Sequence, residues 1–589
     1  MTAPRKGALA ELRRLLPYLR RYRVRVIWGL VFITISNICS TTIPRIVGTA
    51  IDTIKSNTYA QEDIYWLIAQ IMLLTIGSGL GMFATRRTII VMSRFVEEDL
   101  RNDFLASIQV QAQRFYHDRS TGSLLAHFTN DVGAVREFIG PAIMYTANTV
   151  TTFLFALSWM ISLNGWLTLA IVTPIPFIAW ATYNLGRKIH ERYRTVQEQY
   201  EHVTTQAQET FSGVRVVRAY AREEDESTRF DQISNEYYRK NMTLARINSL
   251  MMPSMTVLFN IAYVIVIGLG GYLVVGDQLT VGELTQFFIY LNQLLWPVAA
   301  IGWVTGMIQR GAASIGRLGN IMDAVPDVRN TDTTDHAITS LTGDVVFEHV
   351  SLSYQGRADT TVLSDITIAV PAGSSLGILG SVGCGKTSLV NLIPRLYDVT
   401  TGAVRIDGAD VRNIPLEVLR HDIAVVPQES FLFSDTIRGN IAFGRPDASE
   451  EEILHASQVA QLDNDIRTLT QGYDTVVGER GITLSGGQKQ RTSLARAILC
   501  DPKILILDDA LSAVDTDTES RILTGLAEVM KGRTTIIISH RISALRSCDN
   551  IVVMQDGKII EEGDHAELIA MDGKYADTYE RQLLEQELS

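Results

Sequence analysis

The 589-residue chain has few cysteines, no excess of positive charge and, over one long stretch, no charged residue at all. Its four cysteines, Cys39, Cys384, Cys500 and Cys548, form no CxxC pair, so a disulfide framework or a zinc site is not expected. A formal net charge of −11 argues against a nucleic-acid partner. Residues 138–186 lack Asp, Glu, Lys and Arg, and an uncharged stretch of this length is typical of two membrane crossings.

Apolar runs in the first half of the chain match the ~30 Å thickness of the hydrocarbon core of a bilayer. They predict a transmembrane domain over residues 1–310 with six helices, at about 24–50, 63–86, 138–163, 165–187, 247–276 and 281–309. Two connections are long and helix-like, so we expect the spans to continue as helices well into the cytoplasm. Clusters of Gly, Ser and Asp near 116–124 and 212–222 predict docking turns there, with plain solvated hairpins as the alternative.

Arginine and lysine concentrate in alternate connections of this domain, namely 1–25, 86–138 and 187–246. The other connections contain only Lys55. The positive-inside rule therefore predicts a multi-pass protein of the cytoplasmic (inner) membrane, with the N terminus and the C-terminal half in the cytoplasm.

Basic residues at the membrane boundary allow two further predictions. Arg86 and Arg87 are expected at the cytoplasmic interface, or else in a cavity where they attract acidic cargo. Leucines at helical spacing predict an interfacial elbow helix over 8–22, for which a mitochondrial presequence is the competing interpretation.

From about residue 343 the pattern changes to short β-rich runs between helical stretches, which predicts an α/β domain over 343–589 after a linker at 311–342. The run Ser375–Leu379 leads into Gly380-Ser-Val-Gly-Cys-Gly-Lys-Thr387 and an apolar helix, which is the context that a P-loop requires. Backbone amides in such a loop cradle phosphate oxygens. Lys386 would reach the β- and γ-phosphates of a nucleotide, and Thr387 would reach Mg²⁺.

A buried strand, Ile504–Asp508, leads into a pair of carboxylates, Asp508 and Asp509. By itself this pattern is typical of a core strand followed by a polar turn. With a P-loop upstream, we interpret Asp508 as the Mg²⁺ ligand and Asp509 as the carboxylate beside the attacking water.

The segment Leu484-Ser-Gly-Gly-Gln488 matches the signature of ATP-binding cassette (ABC) proteins and lies just before the Asp508 strand. Over about residues 10–580 the chain resembles an ABC exporter half-transporter, with six spans followed by one nucleotide-binding domain. It closely resembles the bacterial multidrug-type exporters that work as heterodimers. The expected fold is therefore a membrane α-helical domain joined to an α/β P-loop nucleotide-binding domain.

This resemblance implies ATP and Mg²⁺ as ligands and a role for each matching position. The residues that would contact ATP are Tyr354, Gly380, Ser381, Val382, Gly383, Cys384, Gly385, Lys386, Thr387, Ser388, Gln428, Ser485, Gly487, Gln488 and Asp515. The metal ligands would be Thr387, Gln428 and Asp508, and the catalytic residues Gln428, Asp509 and His540. In this family Ser485 and Gly487 face a nucleotide held by the other subunit, which implies a dimer with shared ATP sites.

Position 509 departs from the family pattern, in which Glu follows the Mg²⁺-binding Asp. The shorter side chain would end roughly 1.5 Å from where the water needs a base, and a misplacement of about 1 Å can cost on the order of 10²-fold in rate. We therefore expect a degenerate site in this chain and a non-identical partner half-transporter with the consensus Glu. The alternative is tolerated drift, with an adjusted backbone that restores the geometry.

The function predicted from these features is ATP-driven export by alternating access. The cargo would be hydrophobic or amphipathic: a drug, a lipid or a peptide. Aromatic residues on the spans either line a cargo cavity or face lipid; they are Trp28, Phe153, Trp159, Tyr263, Phe288, Tyr290, Trp296 and Trp303. The functions left open are a homodimeric exporter, an importer of a metal chelate with exporter architecture, and an ATP-gated regulator or channel.

Overall fold

The computed structural model describes residues 13–56, 60–354, 361–478, 481 and 483–588. Contacts divide the chain into two compact units. The first consists of residues 1–109 and 120–324, and the second of residues 110–119 and 325–589.

Helices make up the described part of the first unit. A 3₁₀ turn, Arg13–Leu15, and α1, Leu16–Arg21, cover part of the predicted elbow helix, whose residues 8–12 lie outside the described residues. The helices that follow, up to residue 324, are α2 Arg23–Ser56, α3 Gln61–Thr85, α4 Val91–Gln109, α5 Gln113–His117, α6 Thr121–Ala126, α7 Val132–Glu137, α8 Ile143–Leu163, α9 Gly165–Val172, α10 Pro174–Ser212, α11 Val214–Ala219, α12 Glu223–Ser249, α13 Met251–Ile265, α14 Gly271–Val275 and α15 Val281–Met322. Single π-helical turns join several of them, at Arg86–Ile90, His127–Asp131, Phe138–Ala142 and Val266–Gly270. Helix α5 belongs to the second unit.

Four helical stretches among the described residues are long and apolar enough to cross a membrane: Arg23–Ser56, Gln61–Gln109, Thr121–Leu163 and Val281–Met322. A shorter apolar helix covers Asn260–Val275. Helices α9 and α10 cover the predicted fourth span and are separated at Thr173, because Pro174 has no N–H for a continuous helix and instead starts the next one. Helices thus lie at each predicted position, while a total of six crossings remains a prediction.

Polar side chains join the apolar helices inside the first unit. The Tyr290 hydroxyl on α15 donates to the Thr41 carbonyl oxygen on α2 at 2.9 Å, and Gln293 Nε2 donates to the Ser40 carbonyl oxygen at 3.1 Å. Tyr290 is completely buried by these helices. The prediction that Tyr290 lines a cavity or faces lipid is therefore wrong, because its ring fills the space between packed helices.

Two sheets form the core of the second unit. Their strands are β1 Val345–Ser353, β2 Thr361–Val370, β3 Ser375–Gly380, β4 Thr401–Ile406, β5 Ala409–Asp410, β6 Ile423–Val426, β7 Ile504–Asp508, β8 Thr534–Ile538, β9 Asn550–Gln555 and β10 Lys558–Gly563. The first sheet is antiparallel, in the order β2-β1-β4-β5. The second has the order β10-β9-β3-β8-β7-β6 and is parallel except for β10.

Strands β7 and β8 are buried at every position, which explains their continuous apolar sequence. The helices of this unit after residue 325 are α16 Lys386–Val390, α17 Leu416–Asp422, α18 Ile437–Ile441, α19 Glu450–Val459, α20 Asp463–Arg467, α21 Gly486–Leu499, α22 Thr516–Met530, α23 Ile542–Leu545, α24 His565–Ala570 and α25 Lys574–Leu588, with 3₁₀ turns at Ala442–Gly444 and Gly472–Asp474. The carboxyl ends of the parallel strands lie at one sheet edge, so side chains just beyond β3, β6, β7 and β8 can meet there.

Candidate functional site

The loop between β3 and α16 has the backbone geometry of a phosphate-binding loop. Gly383 and Gly385 have φ angles of +84° and +103°, in a region that favours glycine. At Gly385 a Cβ would also lie 2.8 Å from Leu363 Cδ2 and 3.0 Å from the Val362 carbonyl oxygen, so no side chain fits. The chain therefore turns tightly at this loop, and its amides can converge on an anion.

Lys386 provides the positive charge of the loop. It is only 6% exposed, and its Nζ donates to the carbonyl oxygens of Gly380 at 2.8 Å and Ser381 at 3.0 Å. These bonds hold the ammonium over the loop. Because both acceptors are neutral, the charge of Lys386 remains uncompensated by them and is available to phosphate oxygens.

A cavity of about 170 Å³ opens beside the loop. It is lined by Val362, Val382, Gly383, Gly385, Lys386, Thr387, Ser388, Gln428, Asp508, Asp509, Ile538 and His540. The three predicted catalytic residues and the three predicted metal ligands are all among them. They come together because they follow the carboxyl ends of neighbouring parallel strands.

The carboxylate of Asp508 is 4% exposed at the end of β7. Burial raises the pKa of this carboxyl, a hydrogen bond from Thr387 opposes the rise, and the negative charge of Asp509 adds to it. A carboxylate in this state is stabilised by a cation beside it. The Thr387 hydroxyl, the Asp508 carboxylate and the Gln428 amide are oxygen ligands, so the residues present fit Mg²⁺.

Asp509 follows Asp508 in a left-handed backbone conformation with a φ of +47°. Aspartate tolerates this region better than most residues because its short polar side chain can make local hydrogen bonds. The main-chain amide of Asp509 donates to the Ile538 carbonyl oxygen on β8 at 2.9 Å. The backbone of Asp509 is thus tied to the sheet while its side chain lines the cavity, where a base for an attacking water would be needed.

Several predicted contact residues do not line this cavity: Tyr354, Gly380, Ser381, Cys384, Ser485, Gly487, Gln488 and Asp515. Tyr354 packs edge-on against Tyr397 with ring centroids 5.2 Å apart, and its hydroxyl lies 3.0 Å from the Ser388 hydroxyl. Cys384 is 5% exposed and packs within the apolar core around β3. Only the backbone of Cys384 therefore remains as a possible contact to phosphate.

The signature segment starts helix α21 and lies apart from the cavity. The Ser485 hydroxyl accepts a hydrogen bond from the backbone N–H of Gln488 at 3.3 Å, and the side-chain Oε1 of Gln488 accepts one from the backbone N–H of Ser485 at 3.0 Å. This capping box fixes the start of the helix and leaves Ser485 exposed. Asp515 caps α22 in a similar way, with Oδ1 accepting from the Thr518 amide at 2.9 Å, and these hydrogen bonds lower the pKa of its carboxyl.

Sequence reasoning missed three residues of the site. Val362 and Ile538 line the cavity, yet an apolar residue in a strand gives no local signal of such a role. Gln490 on α21 donates to the Ser512 hydroxyl and accepts from the Ala513 amide, each at 3.0 Å. Gln490 thereby joins the signature helix to the segment that follows Asp509, a contact visible only after folding.

Comparison with known proteins agrees with this arrangement. The family model "ABC transporter transmembrane region" matches residues 26–298, and the model "ABC transporter" matches residues 363–512. The chain is 37% identical to the probable multidrug resistance ABC transporter ATP-binding/permease protein YheI of Bacillus subtilis, over 96% of this chain and 97% of that protein. It is 36% identical to an ATP-dependent lipid A-core flippase of Syntrophus aciditrophicus, over 97% of this chain and 94% of the flippase.

A solved structure extends the comparison to three dimensions. The chain matches a bacterial Atm1-family ABC exporter with ATP bound at a TM-score of 0.80 and 27% identity, covering 96% of this chain and 98% of the exporter chain. One polypeptide therefore contains both the multi-pass transmembrane region and the ATP-binding domain. The chain belongs to the ABC transporter family, as an exporter whose ATP-binding domain couples ATP hydrolysis to transport across a membrane.

Proposed function

We propose that this chain is one half of a heterodimeric exporter of hydrophobic or amphipathic compounds, and that its own ATP site is degenerate. The exporter lies in the cytoplasmic membrane, with the N terminus and the nucleotide-binding domain in the cytoplasm. The observation that carries the proposal is the Asp509 side chain in a cavity that otherwise contains the expected set of groups.

The cavity supports the binding of a triphosphate with its metal ion. Lys386 and the loop amides would neutralise phosphate oxygens, while Thr387, Gln428 and Asp508 would hold Mg²⁺. When bound, the metal ion neutralises charge on the phosphates. Asp509 would accept a proton from the attacking water, and His540 would donate to the terminal phosphate.

The exposed signature supports a second subunit. Ser485 starts its helix outside the cavity of its own chain, which supports a shared site in which the P-loop of another chain would supply the nucleotide that Ser485 faces. Shared sites of this kind link two nucleotide-binding domains through ATP. Loss of the terminal phosphate then removes negative charge that groups of both domains neutralise, so the two domains separate.

The second docking turn supports a partner as well. Phe211, Val216 and Tyr220, around this turn, are 77%, 62% and 76% exposed. Residues 110–119, which include helix α5 and the start of the first predicted docking turn, cluster with 325–589, whereas the second turn does not. Exposed apolar groups on a cytoplasmic extension are explained if they dock onto the nucleotide-binding domain of the partner.

The nucleotide-binding domain carries a matching apolar surface. Phe433 stacks on Phe443 with ring centroids 4.4 Å apart, Phe431 packs edge-on against Phe433 at 5.2 Å, and all three are exposed. In a dimer, the exposed aromatic residues of the docking turn in one chain would be buried against the phenylalanine group of the other chain. An identical partner would bury this surface equally well, so only Asp509 favours a different partner.

The names of related proteins support the cargo class. YheI is a probable multidrug resistance transporter, and the Syntrophus aciditrophicus relative is a lipid A-core flippase. The first name refers to drugs and the second to a lipid. We extend that class to this chain and propose drugs, lipids or apolar peptides as its cargo.

The decisive experiment compares this chain alone with a mixture containing a non-identical half-transporter that has Glu at the matching position. Both preparations are reconstituted, and ATP hydrolysis and transport into inverted vesicles are measured. We expect fast, cargo-stimulated turnover from the mixture and slow turnover from this chain alone. ATP-dependent movement into inverted vesicles would identify export, and the opposite direction would identify import.

Matched substitutions separate the two ATP sites. Asp509→Asn in this chain should lower turnover modestly, whereas replacing the catalytic Glu of the partner with Gln should abolish it. Equal rates from this chain alone and from the mixture would show that the proposal of a degenerate site is wrong.

A further inference from the structure

Arg45 places a positive charge at membrane depth in helix α2. It follows Arg25 by twenty residues of the same helix, which corresponds to about 30 Å along the axis. Because this distance equals the usual thickness of a hydrocarbon core, Arg25 and Arg45 mark opposite interfaces of the membrane. We call the interface at Arg45 the far interface. Trp159 belongs to the same end, four residues before α8 ends at Leu163, and tryptophan is typical of such an interface.

The guanidinium of Arg45 has no counter-charge among the residues that the structure describes. Its Cζ lies 4.8 Å from the centroid of the Trp159 ring, so the group is stacked on an aromatic face. Across the described residues, this guanidinium takes part in no ion pair and no hydrogen bond, and the residue is exposed. By contrast, Arg317 is paired with Asp131. The N–H donors of Arg45 are therefore left to a group from outside the chain.

The polar groups around Arg45 are unable to neutralise it. Gln286 on α15 packs directly on Gly48, one turn along α2, where a Cβ would lie 2.1 Å from Gln286 Nε2. An amide carries no charge. Asp52, the next carboxylate along α2, accepts from the Gly282 amide at 2.8 Å and from the Thr280 hydroxyl at 2.5 Å. Asp52 therefore caps the start of α15.

We propose that Arg45, backed by Trp159, binds the anionic phosphate headgroup of a lipid in the leaflet at the far interface. A guanidinium matches phosphate because two N–H groups can donate in parallel to two oxygens. The Trp159 ring covers one face of the guanidinium, and a phosphate would be bound at its edge, where the N–H donors lie. A bound phosphate would neutralise the positive charge of the Arg45 guanidinium, which is costly to leave unpaired beside hydrocarbon. The proposal requires that α2 spans the membrane and that Arg45 stays exposed in the assembled exporter, and it does not depend on the cargo.

Lys55 provides a matched control on the same side of the membrane. It is exposed near the end of α2, ten residues beyond Arg45 and so about 15 Å farther from the hydrocarbon core. Lys55→Gln removes one positive charge from the same end of the same helix but from the aqueous side. If Arg45→Gln changes lipid binding and Lys55→Gln does not, the change therefore arises from loss of the interfacial site and not from the change in net charge.

The test measures lipid binding to the full-length chain in detergent by native mass spectrometry. Phosphatidylglycerol and phosphatidylcholine with the same acyl chains are titrated into wild type, Arg45→Gln, Arg45→Lys and Lys55→Gln. We expect Arg45→Gln to weaken the tightest phosphatidylglycerol binding by about tenfold, the effect of one lost charge-assisted contact. Arg45→Lys should lose less, and Lys55→Gln should match wild type.

Competition with glycerol 3-phosphate distinguishes a lipid from a soluble phosphate. If glycerol 3-phosphate binds at Arg45 as tightly as phosphatidylglycerol, the ligand is a free anion and the leaflet assignment is wrong. Equal phosphatidylglycerol binding by wild type and Arg45→Gln would overturn the site altogether. So would a loss of dimer formation in Arg45→Gln with unchanged lipid binding, since Arg45 would then be a contact between subunits.

Discussion

Lengthening the side chain at position 509 by one methylene is the most direct test of why this ATP site should be slow. Asp509 lines the same cavity as Gln428 and His540, and its main-chain amide is held by the Ile538 carbonyl oxygen at 2.9 Å. Because this bond fixes the backbone, Asp509→Glu would move the carboxylate about 1.5 Å farther into the cavity without changing its charge.

Two opposing effects set the size of the change. Correcting a misplacement of about 1 Å can raise the rate on the order of 10²-fold. Against this, Asp509 has a φ of +47°, which favours Asp over Glu. We take that preference as about 1 kcal/mol, or about a fivefold factor. The net expectation for Asp509→Glu is therefore about a twentyfold gain in turnover at this site.

The assay is phosphate release from the proposed mixed dimer, with the catalytic Glu expected in the partner replaced by Gln, so that only this site would contribute. Asp509→Asn is the matched control, because it keeps the length of the side chain and removes the base. Nucleotide binding is measured in parallel to confirm that each variant is folded. An Asp509→Glu dimer that binds ATP normally but hydrolyses it no faster than wild type would refute the argument from side-chain length.

Three further predictions concern the P-loop, the turn between β4 and β5, and the second docking turn. Lys386→Ala should weaken ATP binding more than about tenfold, as measured by equilibrium titration, because it removes the lysine of the cavity. Burial raises the pKa of Asp407, but hydrogen bonds from the Thr342 hydroxyl and three backbone amides outweigh it and lower the pKa. Asp407→Asn should therefore cost about 1 kcal/mol at pH 7, after allowing for exposure to solvent. In thermal unfolding, this difference from wild type should disappear as the pH falls through the lowered pKa. Tyr220→Ser should reduce cargo-stimulated ATP hydrolysis with unchanged nucleotide binding, whereas Tyr238→Ser, at another exposed aromatic residue, should not.

The P-loop and the carboxylate pair could be located from local patterns because each is a strand followed directly by its functional residues. Ser375–Leu379 and Ile504–Asp508 are short apolar runs, and parallel strands bring their carboxyl ends to one edge. The meeting of Lys386 and Asp508 in one cavity follows from that rule. Membrane helices are predictable for an equally simple reason, since their length and hydropathy have to match the bilayer.

The chain order of residues was enough to predict the kinds of element and the class of ligand, because each depends on a short segment and its own chemistry. The departure at position 509 is visible only against the pattern of the family that the chain resembles. Folding alone revealed that Tyr290 is enclosed by helices, that the Cys384 side chain is buried in the core and that Arg45 stacks on Trp159 with no counter-charge from the described part of the chain. These outcomes depend on which distant segments pack together. A local sequence pattern indicates which contacts a side chain can make, whereas the packed fold determines which neighbouring residues make those contacts, or whether any does.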